Sequence, residues 1–321
     1  MTINEQIVGK SQVIKKVFNA VSRVAPTDST VLITGETGSG KEVMANAIHR
    51  LSKRADAPFV ALNCSAIPET LLESELFGYK KGAFTGANAD KKGLLEEANL
   101  GTLFLDEIGD MNLSLQAKLL RVLDDGQVRR VGDTENKKVN VRIIAATNKD
   151  LRKEIEAGRF REDLFFRLNV VMLNIPPLRD RKEDIPALIR SFLEKYNEES
   201  GKDVLRISDE ALAVLMNYDY PGNVRELQNT IKHAVVFSDN NIITKAALPP
   251  SIPGQPLLSS GGSSSGDSVI RGGKFVKISE IEKKLISETL SLTGNNHTVA
   301  ARYLGISRST LWRKMKEYGL E

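Results

Sequence analysis

The segment Gly35-Glu-Thr-Gly-Ser-Gly-Lys41 constrains this chain more than any other. It follows the apolar run Thr30-Val-Leu-Ile-Thr34 and opens an amphipathic stretch from Lys41 to Leu51. A strand, a glycine-rich loop and a helix that begins with lysine are the context a phosphate-binding P-loop requires. Glycines let backbone N–H groups wrap a phosphate, and the helix N-terminus adds a favourable dipole. Gly35, Glu36, Thr37, Gly38, Ser39 and Gly40 would then line the phosphates of ATP, and Lys41 would reach the β- and γ-phosphates. Position 42 is Glu42, where Ser or Thr usually coordinates Mg²⁺. The metal must depend more on phosphates, water and a second carboxylate.

That carboxylate is available in Gly101-Thr-Leu-Phe-Leu-Asp106-Glu107, an apolar strand ending in two acids. Asp106 can hold Mg²⁺, and Glu107 can polarise an attacking water. Two solvated strand-end acids are the bland alternative, which is weak beside a P-loop. Another strand ends in Thr147-Asn148, at the edge of a parallel sheet where ligands usually sit. Thr147 and Asn148 could sense the γ-phosphate, although Thr-Asn also simply starts turns.

Short apolar runs at Thr30–Thr34, Phe59–Leu62, Thr102–Leu105 and Val141–Ala146 alternate with helical patterns. One such helix spans Ser114 to Asp125, with Ser114 as N-cap and Gly126 as the stop. Alternating strands and helices imply an α/β fold with a mainly parallel sheet. After Pro176-Pro177 the strand signals fade. Asp184–Ser200, Ser208–Tyr218 and Asn223–Phe237 read as helices of a second, smaller unit ending near Ile252. Ser259-Ser-Gly-Gly-Ser-Ser-Ser-Gly266 buries nothing that would offset chain entropy, so residues 253–274 read as a flexible tether of about 25 Å. Cys64 is the sole cysteine and there are three histidines, which excludes an intramolecular disulfide and argues against structural zinc. Cys64 itself reads as a small buried hydrophobe. No apolar run approaches the ~20 residues of a membrane span, and the start lacks signal-peptide character. A soluble, reducing, cytoplasmic setting is expected, with no membrane partner.

These motifs, in this order, resemble an AAA+ ATPase. Gly82-Ala-Phe-Thr-Gly-Ala87 narrows the resemblance to bacterial enhancer-binding proteins, the ATPases that activate sigma-54 RNA polymerase. Glu75-Leu-Phe-Gly78, Asn63-Cys-Ser-Ala66, Phe160-Arg-Glu-Asp-Leu164, Pro177-Leu-Arg179 and Pro221-Gly-Asn-Val-Arg-Glu-Leu227 agree. In this family Glu commonly follows the P-loop lysine, so Glu42 fits. The resemblance implies an AAA+ P-loop parallel sheet over residues 1–175, a helical lid subdomain over 176–252, the linker 253–274, and an all-α helix-turn-helix domain over 275–321.

Gly82 and Gly86 give the hexapeptide backbone freedom, and Ala83, Phe84 and Thr85 lie between them. Composition alone leaves two readings of Phe84, a ring folded into the core or a contact for another molecule. By resemblance, residues Gly82 to Ala87 engage the sigma factor when ATP is bound, with Thr85 central. Gln127 to Val139 resembles the companion pore-side loop and is also compatible with an ordinary hairpin. The resemblance further makes Arg161 and Arg167 arginine fingers for a neighbour's γ-phosphate, Arg225 a sensor in the lid, and Asn63 the switch that restrains Glu107. From the residues alone, surface salt bridging would be the expected fate of both fingers. Fingers acting on a neighbour require a ring, and the resemblance implies a homo-oligomer ranging from a dimer to a hexameric ring.

Near the C-terminus, Ile278, Ile281, Leu285, Thr289 and Leu292 form an apolar stripe with room for a dimer face. Two short helices then flank Gly305, the pattern of a helix-turn-helix. From His297 to Lys316 there are five basic residues, Arg302, Arg308, Arg313, Lys314 and Lys316, and no acid. That face suits double-stranded DNA. The segment resembles the Fis-type domain that ends many enhancer-binding proteins. Arg302, Arg308, Ser309, Thr310, Arg313 and Lys314 are the expected DNA contacts. Leu304, Ile306, Leu311 and Met315 read as core, and Trp312 leans towards packing.

The implied protein is a transcriptional activator that binds an upstream enhancer and uses ATP to remodel sigma-54 polymerase from closed to open complex. Many relatives, two-component regulators among them, carry an N-terminal receiver or ligand-sensing domain. Here the ATPase begins within the first ten residues. Either a separate inhibitor acts in trans, or the chain is a shortened form. A different AAA+ motor is the first alternative, which residues Gly82 to Ala87 oppose. A DNA-binding repressor with a vestigial nucleotide fold is the second, which Lys41, Asp106 and Glu107 oppose.

Overall fold

Five parallel strands in the order β2-β5-β8-β1-β9 form the centre of the first part of the chain. They are β1 (Val31–Thr34), β2 (Phe59–Asn63), β5 (Thr102–Asp106), β8 (Arg142–Thr147) and β9 (Val171–Asn174). Helices α1 (Gln12–Val24), α2 (Lys41–Arg50), α3 (Glu69–Phe77) and α4 (Leu94–Glu97) fall in the first half of this region. Helices α5 (Leu113–Asp125), α6 (Leu151–Glu156) and α7 (Glu162–Leu168) complete it. The computed structural model describes residues 8–204, 206–238, 241–252, 268–271, 274–277, 283, 285–287, 289–290, 293–294 and 296–319.

Side-chain alternation explains why helices cover both faces of the sheet. Leu32, Leu103, Leu105, Ile143 and Ala145 point to one face and pack with Leu72, Leu76, Leu115, Leu119 and Leu164. Val31, Ile33, Phe104, Ile144 and Ala146 point to the other and pack with Ile14, Val21, Met44 and Ile48. Strands that are apolar on both sides read as continuous hydrophobic runs, which is how four of them stand out in the sequence. The edge strands β2 and β9 each bury a single residue, Leu62 and Leu173, and of the two only β2 was expected from the sequence.

Helix α5 corrects one expected detail. Its N-cap is Asn112, whose side chain accepts from Leu115 N at 2.9 Å. The Ser114 hydroxyl instead donates to Asn112 Oδ1 at 2.8 Å, inside the first turn. Gly126 ends the helix in the left-handed region, as expected.

Two insertions leave this layer structure. The first carries β3 (Gly78–Tyr79) and β4 (Lys91–Lys92), an antiparallel pair. The second carries β6 (Gln127–Val128) and β7 (Lys137–Lys138), also antiparallel. The hairpin reading of the second insertion is therefore correct as far as its base goes.

A second core follows, built from α8 (Ile185–Ser200), α9 (Asp209–Asn217) and α10 (Asn223–Val236). Leu188, Leu215, Tyr220, Leu227 and Ile231 are buried in it. A short parallel pair, β10 (Arg206–Ile207) and β11 (Ile242–Ile243), closes it. Asp184 ties the N-terminal segment to this core, accepting from Lys10 N, Ser11 N and Ser11 Oγ at 2.6–2.7 Å.

Two compact units divide the chain, Met1–Leu257 and Leu258–Glu321. The expected tether 253–274 needs correction at its end. Strand β12 (Ser268–Arg271) pairs antiparallel with β13 (Lys274–Lys277). Val269, Ile270, Phe275 and Val276 give these segments β-propensity that the preceding Ser-Gly run lacks. The Ser-Gly run itself lies outside the described residues, as do Ile278, Ile281 and Leu292 of the expected stripe. The second unit then has helices His297–Tyr303 and Arg308–Tyr318 around a core of Ile286, Leu290, Ala300, Ala301, Leu311 and Met315. Among the described residues no helix is long and apolar enough to cross a membrane.

Candidate functional site

The C-terminal ends of β1, β2, β5 and β8 converge on one cleft of about 470 Å³. Its floor is the loop between β1 and α2. Gly38 has φ +76, and a Cβ there would stand 2.3 Å from Gly222 O. Only glycine meets both demands. Lys41, 6% exposed, opens α2 and folds back so that Nζ donates to Gly35 O at 3.1 Å.

Strand β5 delivers the two acids. Lys41 Nζ also pairs with Glu107 Oε1 at 3.3 Å. Glu107 Oε2 accepts from Asn148 N at 3.0 Å, so both carboxylate oxygens are engaged. Glu107 is a non-glycine residue at φ +50, ψ +49. Such a backbone costs about 1 kcal/mol and is retained where the surroundings fix it. Burial, and after it the Glu107 charge, push the Asp106 carboxyl above the usual aspartate range. A cation beside Asp106 would relieve that cost.

Asn63 lies opposite Asp106 in the β2–β5 register and its Nδ2 donates to Asp106 Oδ2 at 3.4 Å. Its Oδ1 is occupied by Ser65 N, Ser65 Oγ and Ala66 N. Glu107 is hydrogen-bonded by Lys41 and Asn148, and the side chain of Asn63 reaches its neighbour Asp106 instead. Asn148 also faces the cleft, with Nδ2 donating to Thr37 Oγ1 at 3.0 Å. Thr147 does not. It is fully buried, and its hydroxyl accepts from Lys149 N at 3.0 Å. The strand alternation that presents Asn148 turns Thr147 into the sheet. Glu42 and Arg225 line the cleft, and Arg225 N donates to Gly38 O at 3.3 Å. Ser39 is buried with no hydrogen-bond partner for its hydroxyl.

Arg161 and Arg167 lie outside this cleft. Arg161 pairs with Asp163 at 2.7 Å, and Arg167 pairs with Asp124 at 3.1 Å while donating to Leu123 O. Within one chain they are surface ion pairs, one at the start of α7 and one joining α7 to α5. Cys64 is buried beside the same acids, and burial pushes its thiol up to about 12. It is an inert packing residue.

Phe84 stays out of the core. It is 43% exposed and meets the Tyr79 ring edge-on at 5.0 Å. Gly82 N donates to Ala87 O at 2.9 Å, closing the loop beneath the exposed Phe84 and Thr85. Ala83 packs on Gly132 of the second insertion. Lys80 N donates to Val131 O and Val131 N to Gly78 O, so the two insertions are stitched together.

In the second unit, Ser307 caps the helix Arg308–Tyr318. Ser309 Oγ and Thr310 Oγ1 each lie 2.8 Å from Ser307 Oγ, committing both hydroxyls to the cap. Arg308 and Arg313 are exposed, and Lys314 is half-buried. The side chain of Arg302 lies outside the described residues. Leu304, Ile306, Leu311 and Met315 pack inward as expected. Trp312 does not. It is 57% exposed, with Lys316 Nζ 5.5 Å from its ring centre. Leu311 and Met315 fill the inward face at i and i+4, which places position 312 on the outer side.

Sequence reasoning passed over Arg179, Arg181 and Asn223. All three lie in or beside quoted strings, yet their roles depend on contacts more than 140 residues away.

Comparison with known proteins agrees with this layout. Residues 7–174 match the sigma-54 interaction domain family. Residues 179–260 match the AAA+ ATPase lid domain, and 277–318 match the bacterial regulatory protein, Fis family. The regulatory protein AtoC of Escherichia coli is 47% identical over 98% of this chain and 68% of its own length. The transcriptional regulatory protein ZraR of Klebsiella oxytoca is 47% identical over 96% of this chain and 68% of its own. Among solved structures, NtrX from Brucella abortus in complex with ADP superposes with a TM-score of 0.76 at 37% identity. That likeness covers 98% of this chain and 69% of NtrX. A likeness to yeast Hsp104, at 18% identity and a TM-score of 0.53, concerns the fold alone. The chain therefore belongs to the sigma-54-dependent transcriptional regulators, with an AAA+ nucleotide-binding domain, its lid, and a DNA-binding Fis-type helix-turn-helix.

Proposed function

We propose that the protein hydrolyses ATP in a homo-oligomeric ring and uses the Gly82–Ala87 tip to remodel sigma-54 polymerase from the closed to the open promoter complex. The exposed Arg308–Tyr318 helix would hold it on upstream double-stranded DNA. The observation that carries the reading is Phe84, 43% exposed between two glycines inside the segment matched to the sigma-54 interaction domain. The edge-on contact with Tyr79 leaves the ring at the loop tip, where a partner docking on this segment would cover it.

The residues fit a nucleotide. Ser39 Oγ is an orphaned buried polar atom at the phosphate loop. Among the described residues no group of three or more His, Cys, Asp or Glu could hold a metal by itself. Mg²⁺ takes few carboxylates and completes its shell with phosphate and water, so Asp106 as the main protein ligand suits it. Bound there, it would neutralise charge on the phosphates.

Lys41 is shared between Gly35 O and Glu107. Phosphate oxygens would draw its ammonium away and leave Glu107 Oε1 free to take a proton from the attacking water. Asn148 N keeps Oε2 in place, so the carboxylate retains its aim. Arg161 and Arg167 would exchange their aspartate partners for a neighbour's γ-phosphate. Arg225 would report occupancy to the lid. A separate inhibitor acting in trans is one route to regulation.

Capture of purified sigma-54 in the presence of ADP–aluminium fluoride tests this reading. A stable complex that Phe84→Ala abolishes is expected. A protein that hydrolyses ATP and forms rings but captures no sigma-54 would assign it a different client.

A further inference from the structure

The Glu36 carboxylate does not line the phosphate cleft; partly exposed, it reaches Arg179 and Asn223 of the second, helical part. Arg179 grips it with two bonds, Nη1 to Oε2 at 2.8 Å and Nη2 to Oε1 at 2.5 Å. Asn223 Nδ2 adds a third at 3.1 Å and donates equally to Thr37 O. Asn223 is itself buried, at φ +54, with Oδ1 accepting from Leu178 N at 2.8 Å. An asparagine at a left-handed position tolerates the strain, and here it bridges two segments at once.

The neighbouring carbonyls are held in the same direction. Gly38 O accepts from Arg225 N, and Ser39 O from Arg181 Nη2 at 2.9 Å. In a trans peptide the N–H points opposite to the C=O. Fixing Thr37 O and Ser39 O towards the lid therefore turns the N–H groups of Gly38 and Gly40 the other way, where phosphate oxygens can reach them.

We propose, resting on the ATP-site reading above, that Glu36, Arg179 and Asn223 form a latch that locks the P-loop to the lid and so preorganises its amides for phosphate. Glu36 is then a positioning residue, acting through the backbone. The pair is partly exposed, and an isolated exposed ion pair contributes little. The bidentate geometry and the Asn223 bridge distinguish it from such pairs.

Charge reversal in the full chain tests the latch, read as affinity for a fluorescent ATP analogue and as separate KM and kcat for ATP. Glu36→Arg or Arg179→Glu should each raise Kd and KM roughly five-fold or more, with a smaller change in kcat. The double exchange, Glu36→Arg with Arg179→Glu, should recover most of the loss. Should a reversal unfold the chain in thermal melts, Glu36→Gln keeps the shape and should raise Kd roughly two-fold or more. Single variants that bind like wild type, or a folded double variant as weak as the singles, would overturn the latch. A wild-type chain that binds no ATP would sink the underlying reading instead.

Discussion

Two glutamates flank the phosphate loop, and each is held by its own cation. Hydrogen bonds from Arg179 and then Asn223 bring the Glu36 carboxyl down to about 2 from an ordinary 4.5. A carboxyl depressed on folding stabilises the native state above its unfolded value and loses that contribution as pH falls through its folded value. The melting difference between wild type and Glu36→Gln should therefore shrink as pH drops from 4.5 towards about 2. A difference that stays constant over that range would show that the charge of Glu36 does not matter. Trp312 makes a second prediction at this scale. It is the only tryptophan in the chain, so its fluorescence reports one position. Duplex DNA should shift that emission, and Trp312→Ala should weaken binding roughly five-fold or more while the fold survives. Unfolding on Trp312→Ala would restore the packing role its aromatic character suggested. That residue also marks a limit of sequence reading. Leu311, Trp312 and Met315 are all apolar, and only the helical phase set by Ala300 and Leu290 decides which of them faces out.

At the scale of elements, Arg142 shows how a charged residue can hold packing together. It starts β8, is 2% exposed, and donates to Val24 O, Ala25 O and Ser29 O. The last carbonyls of α1 have no partner within the helix; Thr27 N and Oγ1 serve Val24 O, and the guanidinium adds a bond there and one to Ala25 O, closing the helix end against the sheet. Arg142→Met should cost about 1–3 kcal/mol in urea unfolding, chiefly by leaving Ala25 O without its partner, since Val24 O keeps its bonds from Thr27 N and Thr27 Oγ1. A cost near zero would mean that water replaces it. Strands β1, β2, β5 and β8 were legible because both of their faces are apolar, and the P-loop because its glycines adjoin one of them. Strand β9 and the α5 cap were not. A four-residue edge strand has little periodicity, and Asn112 and Ser114 are equally good caps until the helix phase is known. The hairpin of β12 and β13 was hidden by the adjoining Ser-Gly run, whose composition dominated the reading.

Across the first unit, the nucleotide cleft at the sheet edge and the exposed tip of the first insertion are the two places where the proposed function is carried. Most of the cleft could be read from motifs, because strand ends deliver Asp106, Glu107 and Asn148 and the glycine-rich loop delivers Lys41 at the start of α2. The clamp that Arg179, Arg181 and Asn223 place on the P-loop could not, since it is made by chain folding back from far along the sequence. If Glu107 is the base, Glu107→Gln should reduce ATP turnover at least about 100-fold while an ATP analogue still binds. Equal loss of binding would make Glu107 an anchor for Lys41 instead. In the proposed function, ATP turnover reaches sigma-54 through the tip between Gly82 and Gly86. The most direct measurement is a paired assay of Thr85→Ala, with ATP hydrolysis and sigma-54 open-complex formation followed on the same preparation. Near wild-type hydrolysis with open complexes lost is the expected result. Loss of both activities together, or open complexes formed as by wild type, would contradict it.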